Sequence, residues 1–228
     1  MPTNVQFSRS DPPTVNPNPP LSLDQMAAGI IAVQKNALAL LEDAKLLFQN
    51  GRYTRSVSLC ILAQEEISKI PLIVQLLYVT KDGEDPLSTF CKKFRSHESK
   101  IVEGMTMYVL DDVLYQGGKR TKTMVSAMKA KPSEGPTFIG VRERGFYVEF
   151  DRNNKQFSSP NDAITQQTAV DFLANTEKAF SIYERFKDAG LPEVVQFLKQ
   201  LIDVLGDEEF RLQRKTEAQK VQAVLRGN

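Results

Sequence analysis

One histidine occurs in the 228 residues, His97, within Cys91-Lys-Lys-Phe-Arg-Ser-His-Glu-Ser-Lys100. Imidazole is the side chain whose ordinary pKa lies nearest neutrality, which makes it the usual general acid or base. Metal sites that need paired histidines are excluded, because there is no second one. Leu87, Phe90, Phe94, Ile101, Met105 and Tyr108 recur at steps of three and four on a helix starting near Pro86, the mark of one helix face. Residue 97 falls on that face, so the ring is expected to point toward the core or a cleft. A satisfied core histidine and a proton-transfer group both fit that placement.

A pair of carboxylates is the second candidate. Ala63-Gln-Glu-Glu-Ile-Ser-Lys69 sits in the most apolar helix of the chain. Glu66 shares a face with Leu59, Leu62, Ala63, Ile70 and Ile73, whereas Glu65 lines up with Ile61, Leu62, Lys69 and Leu72. At least one carboxylate is thereby drawn out of water, and isolated buried charge is costly. Lys69, one turn on from both, is the local partner. His97 is the distant one, since it interrupts an apolar face as Glu66 does. A carboxylate–imidazole pair would orient the ring and hold it charged, useful for acid–base work on a phosphodiester. The competing reading is a buried ion pair that fixes helix register.

These residues need helices to hold them. Residues 1–20 contain six of the twelve prolines and read as a flexible tail, too poor in apolar groups to offset its ordering entropy. Ser22 opens a first helix whose apolar positions run from Met26 to Phe48 and which stops at Gly51. A second helix spans about Tyr53 to Val79, apolar nearly all round, with a kink expected at Pro71. Asp85 caps a third, with Pro86 at its first position, ending near Gly117-Gly118. A possible basic helix and loop signals fill Lys119 to Pro136. The period then changes: Gly145-Phe-Tyr-Val-Glu-Phe, an Asn-rich turn and Gln-Phe157 read as a hairpin near 141–158. Two strands alone are marginal, so the hairpin is expected to pack on the helices. Another helix follows from about Ala163 to Ala189, and two more cover Pro192–Leu205 and Asp207 to about Leu225. The reading is one all-α domain over 21–228 with a small inserted β-hairpin and additional C-terminal helices at 191–225.

Composition narrows the function classes. The formal net charge is +1, which argues against whole-surface nucleic-acid or membrane binding. Between Cys91 and Arg144 eleven Lys and Arg face six Asp and Glu, a modest basic tract that suits an RNA footprint or a solvated helix face. Cys60 and Cys91 read as small buried hydrophobes rather than a disulfide framework. No apolar run reaches membrane-spanning length and no leader pattern opens the chain, so a cytoplasmic setting without membrane association is expected. Nothing in the sequence requires a cofactor.

The same residues carry a family resemblance. Gly51-Arg-Tyr, then Ser-Val-Ser-Leu-Cys-Ile-Leu-Ala-Gln-Glu-Glu-Ile-Ser-Lys69, resembles the pattern of HEPN (higher eukaryotes and prokaryotes nucleotide-binding) domains. Phe94-Arg-Ser-His-Glu-Ser-Lys100, Arg144-Gly-Phe-Tyr-Val-Glu-Phe and Phe157-Ser-Ser-Pro160 narrow it to the AbiV-type abortive infection family, over roughly 23–190. The resemblance implies a helical bundle, a homodimer and a role in bacterial defence against phage. Many relatives in the wider superfamily are metal-independent ribonucleases in which an Arg and a His, with four to six residues between them, meet their counterparts across a dimer interface. This chain departs from that spacing. Arg95 and His97 are two apart, on opposed faces of a helix. Lys92 lies five before His97 and Lys93 four before it, so a Lys stands where that Arg would be; Lys93 shares the histidine's face but lacks the bidentate fork.

Two readings follow. In the first the protein cleaves RNA, with His97 as acid or base, Glu66 or Glu65 orienting it, and Lys93, Arg95, Lys100 and Lys69 contacting substrate. In the second it arrests growth by binding the translation machinery, the ribosome or a phage-encoded protein, and Glu65, Glu66, Lys69 and His97 form a buried polar network.

Overall fold

The computed structural model describes residues 15–77, 85–97, 99–100, 142–143, 145–160, 164–181, 183–184 and 187–206. The tail before residue 15, the basic tract between 101 and 141 and the helix expected over 207–225 lie outside the described residues. The architecture is helical, with one small hairpin.

Helix α1 (Leu23–Gln49) starts at a capping box, in which the Ser22 hydroxyl accepts from Gln25 N–H and the Gln25 side chain accepts from Ser22 N–H. It ends where Gly51 adopts a φ of 69°, so that Arg52 N–H reaches Leu47 O and Gly51 N–H reaches Phe48 O. That pair of bonds is a Schellman stop, and it needs the left-handed conformation a glycine adopts without strain. The chain reverses into α2 (Tyr53–Ile67), and the Ser56 hydroxyl ties the two helices by donating to Ala44 O at 2.7 Å.

Pro71 has no N–H to reach residue 67, which predicts a kink; the interruption falls at Ser68, within the turn that this missing bond leaves open. At Ser68 the helix turns, the Ser68 hydroxyl donating to Gln64 O at 2.6 Å, and α3 (Lys69–Val74) begins afresh. Pro71 thus lies in a first turn, where no N–H is required. A 3-10 turn, Gln75–Leu77, completes this arm.

Helix α4 (Pro86–Arg95) is capped by Asp85, whose carboxylate accepts from Leu87 and Ser88 N–H, with Pro86 at its first position. The continuous helix expected through His97 is interrupted at Ser96. Ser96 is extended, its N–H closing α4 on Lys92 O and Lys93 O. Its hydroxyl then accepts from Ser99 N–H and its carbonyl from Lys100 N–H, opening a new helical turn. His97 therefore takes its direction from this restart rather than from the face of Phe90 and Phe94.

Strands β1 (Glu149–Asp151) and β2 (Gln156–Ser158) pair antiparallel, Phe150 opposite Phe157, across a turn with Lys155 at φ 53°. The hairpin is expected to pack on the helices; the turn before it does, through Gly145 against Ser58 and Thr54, while Phe150 and Phe157 are exposed. Helices α5 (Gln166–Ser181) and α6 (Leu191–Gly206) finish the bundle.

Helix α1 is the centre, with α2, α3, α5 and α6 packed on it and α5 also lying along α2. Met26, Ile30, Val33, Ala37 and Leu41 of α1 meet Ile67, Ile70 and Ile73, Phe180, and Val194 and Leu198 in one cluster. Each of these side chains larger than alanine contributes roughly 1.5–3 kcal/mol by leaving water. Val57, Ile61 and Ala169 form a smaller cluster between α2 and α5. Cys60 is buried in this region, whereas Cys91, expected to be buried too, is exposed on α4. No helix among the described residues is long and apolar enough to cross a membrane.

Candidate active site

Helix α2 turns its Glu65 carboxylate inward, and the side chain is only 3% exposed. Three basic groups from two distant segments surround it. His97 Nδ1 lies 2.6 Å from Oε2; Arg142 donates from one guanidinium nitrogen to Oε1 at 2.9 Å and to Oε2 at 3.3 Å; Lys100 Nζ stands at 3.6 Å. A buried carboxylate persists as an ion only when paired and hydrogen-bonded in this way. Arg142 also lies 3.6 Å from the exposed Glu143 carboxylate, so two carboxylates balance the two cations before the imidazole is counted.

The same guanidinium nitrogen approaches His97 Nδ1 to 2.8 Å. Nδ1 cannot both donate to Glu65 and accept from Arg142. The carboxylate only accepts, so the network assigns the proton to Nδ1 and directs the Arg142 hydrogens to Glu65. That tautomer leaves Nε2 with its lone pair, and no group among the described residues hydrogen-bonds it. The histidine side chain is 46% exposed. A ring fixed at one nitrogen by a buried carboxylate, and open at the other, is built to take up or release a proton.

Arg142 owes its position to a tight turn. Gly145 N–H bonds Arg142 O, and the N–H groups of Phe146 and Tyr147 both bond Glu143 O. Gly145 itself is pressed onto α2: a Cβ there would lie 1.7 Å from Ser58 Oγ and 2.9 Å from Thr54 O. Ser58 and Glu65 are seven residues apart, two turns along one face of α2 and about 10 Å along its axis. The segment thus lies along that face, glycine seated at Ser58 and guanidinium delivered to Glu65.

The other expected site residues are placed elsewhere. Glu66, paired by the spacing with His97, bonds Lys69 instead at 2.6 Å, bridging the α2–α3 break. Glu65 holds the histidine, and Glu66 is left to Lys69, the first residue of α3. Lys69 also lies 4.7 Å over the Phe94 ring, tying α4 to the bundle. Lys93 donates to Gln75 at 3.3 Å, and Arg95 is exposed with no bond to the Glu65 cluster among the described residues. The structure therefore brings together Glu65, His97 and Lys100, and adds Arg142, which sequence reasoning missed. Its one local signal was the Arg-Gly-Phe-Tyr run, which begins at Arg144, two residues too late. No group of His, Cys, Asp and Glu that could hold a metal occurs among the described residues.

No curated protein and no solved structure matches the chain. The sequence profile of the AbiV family of HEPN proteins matches residues 25–180, a span that runs from the first turn of α1 to the last turn of α5 and takes in the hairpin and every member of the Glu65 cluster. The chain belongs to the AbiV family of HEPN proteins.

Proposed function

We propose that the protein is an anti-phage abortive infection effector that arrests growth by cutting RNA, without a metal, at the Glu65–His97–Arg142 cluster. The observation that carries this reading is the half-exposed histidine, locked by a buried carboxylate beside an arginine 45 residues away in sequence. Its spatial arginine stands in for the one that the local spacing lacks. In the step this arrangement supports, His97 Nε2 takes the proton of a ribose 2′-hydroxyl. The 2′-oxygen then bonds to the adjacent phosphorus, the bond from phosphorus to the 5′-oxygen breaks, and that oxygen leaves with a proton. Arg142 and Lys100 offset the charge that develops on the phosphoryl oxygens. Each chain has one histidine, so base and acid acting together call for two copies, and a homodimer belongs to the proposal.

The test is to incubate wild-type and His97→Gln protein with total bacterial RNA and intact ribosomes in EDTA, then map new ends. Discrete cuts with 2′,3′-cyclic phosphate ends, absent with the variant, are expected. Intact RNA with translation still blocked would overturn the nuclease. It would favour the second reading, a binding effector, which the saturation of Glu65 by its own basic neighbours supports.

A further inference from the structure

Helix α2 ends in two adjacent carboxylates about 100° apart around its axis, and each is committed to a different partner. Glu65 takes the imidazole. Glu66 takes the Lys69 ammonium at 2.6 Å, both side chains only 16% exposed. The centre of the Phe94 ring lies 4.7 Å from that ammonium. Phe94 in turn leans on Phe90, ring centroids 5.0 Å apart and planes tilted by 45°. A cation held against a ring face attracts most strongly where water is largely excluded, as it is here.

The contact matters because α4 is lightly held. None of its residues is buried, and among the described elements it packs mainly on α3 and the 3-10 turn. Phe90 and Phe94 rest against the edge of the main cluster, and Lys93 donates to Gln75. Whatever fixes the last turn of α4 also fixes His97. Phe94 stands two residues before Ser96. Ser96 N–H is bonded back to Lys92 and Lys93, while its hydroxyl and carbonyl accept from the N–H groups of Ser99 and Lys100. The end of α4, Ser96 and the turn that bears His97 are therefore one hydrogen-bonded unit. A shift of the Phe94 ring passes along that unit to the imidazole, whose 2.6 Å bond to Glu65 tolerates little displacement.

We infer that Lys69 is a positioning residue for His97. Its ammonium, held by Glu66, holds Phe94 and so sets where the imidazole meets Glu65; Lys69 itself does not contact substrate. The two carboxylates of α2 thus grip one ring, Glu65 directly and Glu66 through Lys69 and Phe94. The positioning stands on this geometry, and its value to catalysis rests on the phosphodiester reading of the site.

Because His97 is the one histidine in the chain, its two ring nitrogens are unambiguous in the imidazole NMR spectrum of full-length, isotope-labelled protein. At mildly alkaline pH wild type should show Nδ1 protonated and Nε2 bare. Lys69→Met combined with Glu66→Gln removes the ammonium and its counter-charge together, so that no buried charge is left unpaired. The melting temperature should hold, while the two nitrogen signals move toward each other as the ring samples both tautomers. Phe94→Leu, apolar but without a ring face, should do the same, and Phe94→Tyr, which keeps the face, should leave the signals in place. With RNA as substrate the double variant should lower kcat by up to about a hundredfold, the cost of displacing a reacting group by an ångström, at unchanged KM. Unmoved nitrogen signals in the folded double variant overturn the inference, as do equal shifts for Phe94→Leu and Phe94→Tyr. So does a raised KM at constant kcat, which would return Lys69 to the substrate. Wild type that cuts no RNA, while the variants shift the ring as expected, would sink the nuclease and leave the positioning. Cleavage by wild type with unmoved ring signals in the double variant would do the reverse.

Discussion

Replacing Glu65 by glutamine keeps the shape of the side chain but leaves Arg142 and Lys100 facing a neutral amide in a buried site. Breaking a buried ion pair from one side costs roughly 3–5 kcal/mol, so Glu65→Gln should lower the urea midpoint sharply. His97→Gln should cost under about 1 kcal/mol, because the ring is half exposed and its bond to Glu65 is accordingly open to water. Equal losses for the two variants would make His97 a structural member of the network. Cys60 gives a second residue-level prediction. Burial, partly countered by a hydrogen bond from Thr176, pushes its thiol from 9.0 up to about 11. The folded state then holds that proton to higher pH than the unfolded state does. Its contribution is complete below about pH 9 and is lost as pH rises toward 11, roughly 2–3 kcal/mol in all. Urea midpoints across that window should fall more steeply for wild type than for Cys60→Ala. At this scale the sequence was legible in kind and not in detail. A histidine and a carboxylate were visible as a pair, but Glu65 and Glu66 are adjacent and both neighbour apolar residues. Which of them turns inward depends on what packs on each face of α2, and Arg142 is tied to Glu65 across 77 residues, beyond the reach of any local pattern.

Among the elements, the segment from Arg142 to Tyr147 and the restart at Ser96 decide whether the cluster forms. A methyl group at residue 145 collides with Ser58 and with the fixed backbone of α2, so Gly145→Ala should cost about 1–3 kcal/mol, as other overpacked sites do. It should also draw Arg142 off Glu65. Ser58→Gly removes one of the two obstacles and should restore part of the loss, measurable as a coupling in a double-mutant cycle. Additive effects would show that the two residues do not meet. Ser96→Ala removes the hydroxyl that caps the turn carrying His97 and Lys100, a loss of about 1 kcal/mol. The long helices α1 and α2 were readable from their 3.6-residue period and from Ser22 and Gly51, because a buried stripe and a glycine stop leave local traces. The interruption at Ser96 was hidden by apolar residues that happen to keep step across it. Ser96-His-Glu-Ser99 does carry a start signal, a serine followed by an acid in the first turn, but the stripe outvoted it. The hairpin was legible as strands. Its exposure was not, since aromatic residues alternate in the same way whether they meet a core or a ligand.

For the molecule as a whole, α2 is both the core and the floor of the site. Val57, Cys60, Ile61 and Ala63 are buried within a turn or two of Glu65, so stability and the cluster are lost together when the bundle opens. A thiol reagent can read this directly. Cys91 is exposed and should react at once, while Cys60 should react only at the rate of global unfolding, slowed or hastened with denaturant in parallel with circular dichroism. Prompt reaction of both would mean that α2 and α5 part locally. The spread of the cluster along the chain has a further consequence, for synthesis. Its members enter at positions 65, 97 and 142, and ring closures of that size are slow and come late in folding. A nascent chain carries the histidine and its carboxylate long before the arginine that completes the set, and a chain cut short before Arg142 never acquires it. On the nuclease reading proposed above, a chain still being made is inert until residue 142 has been added.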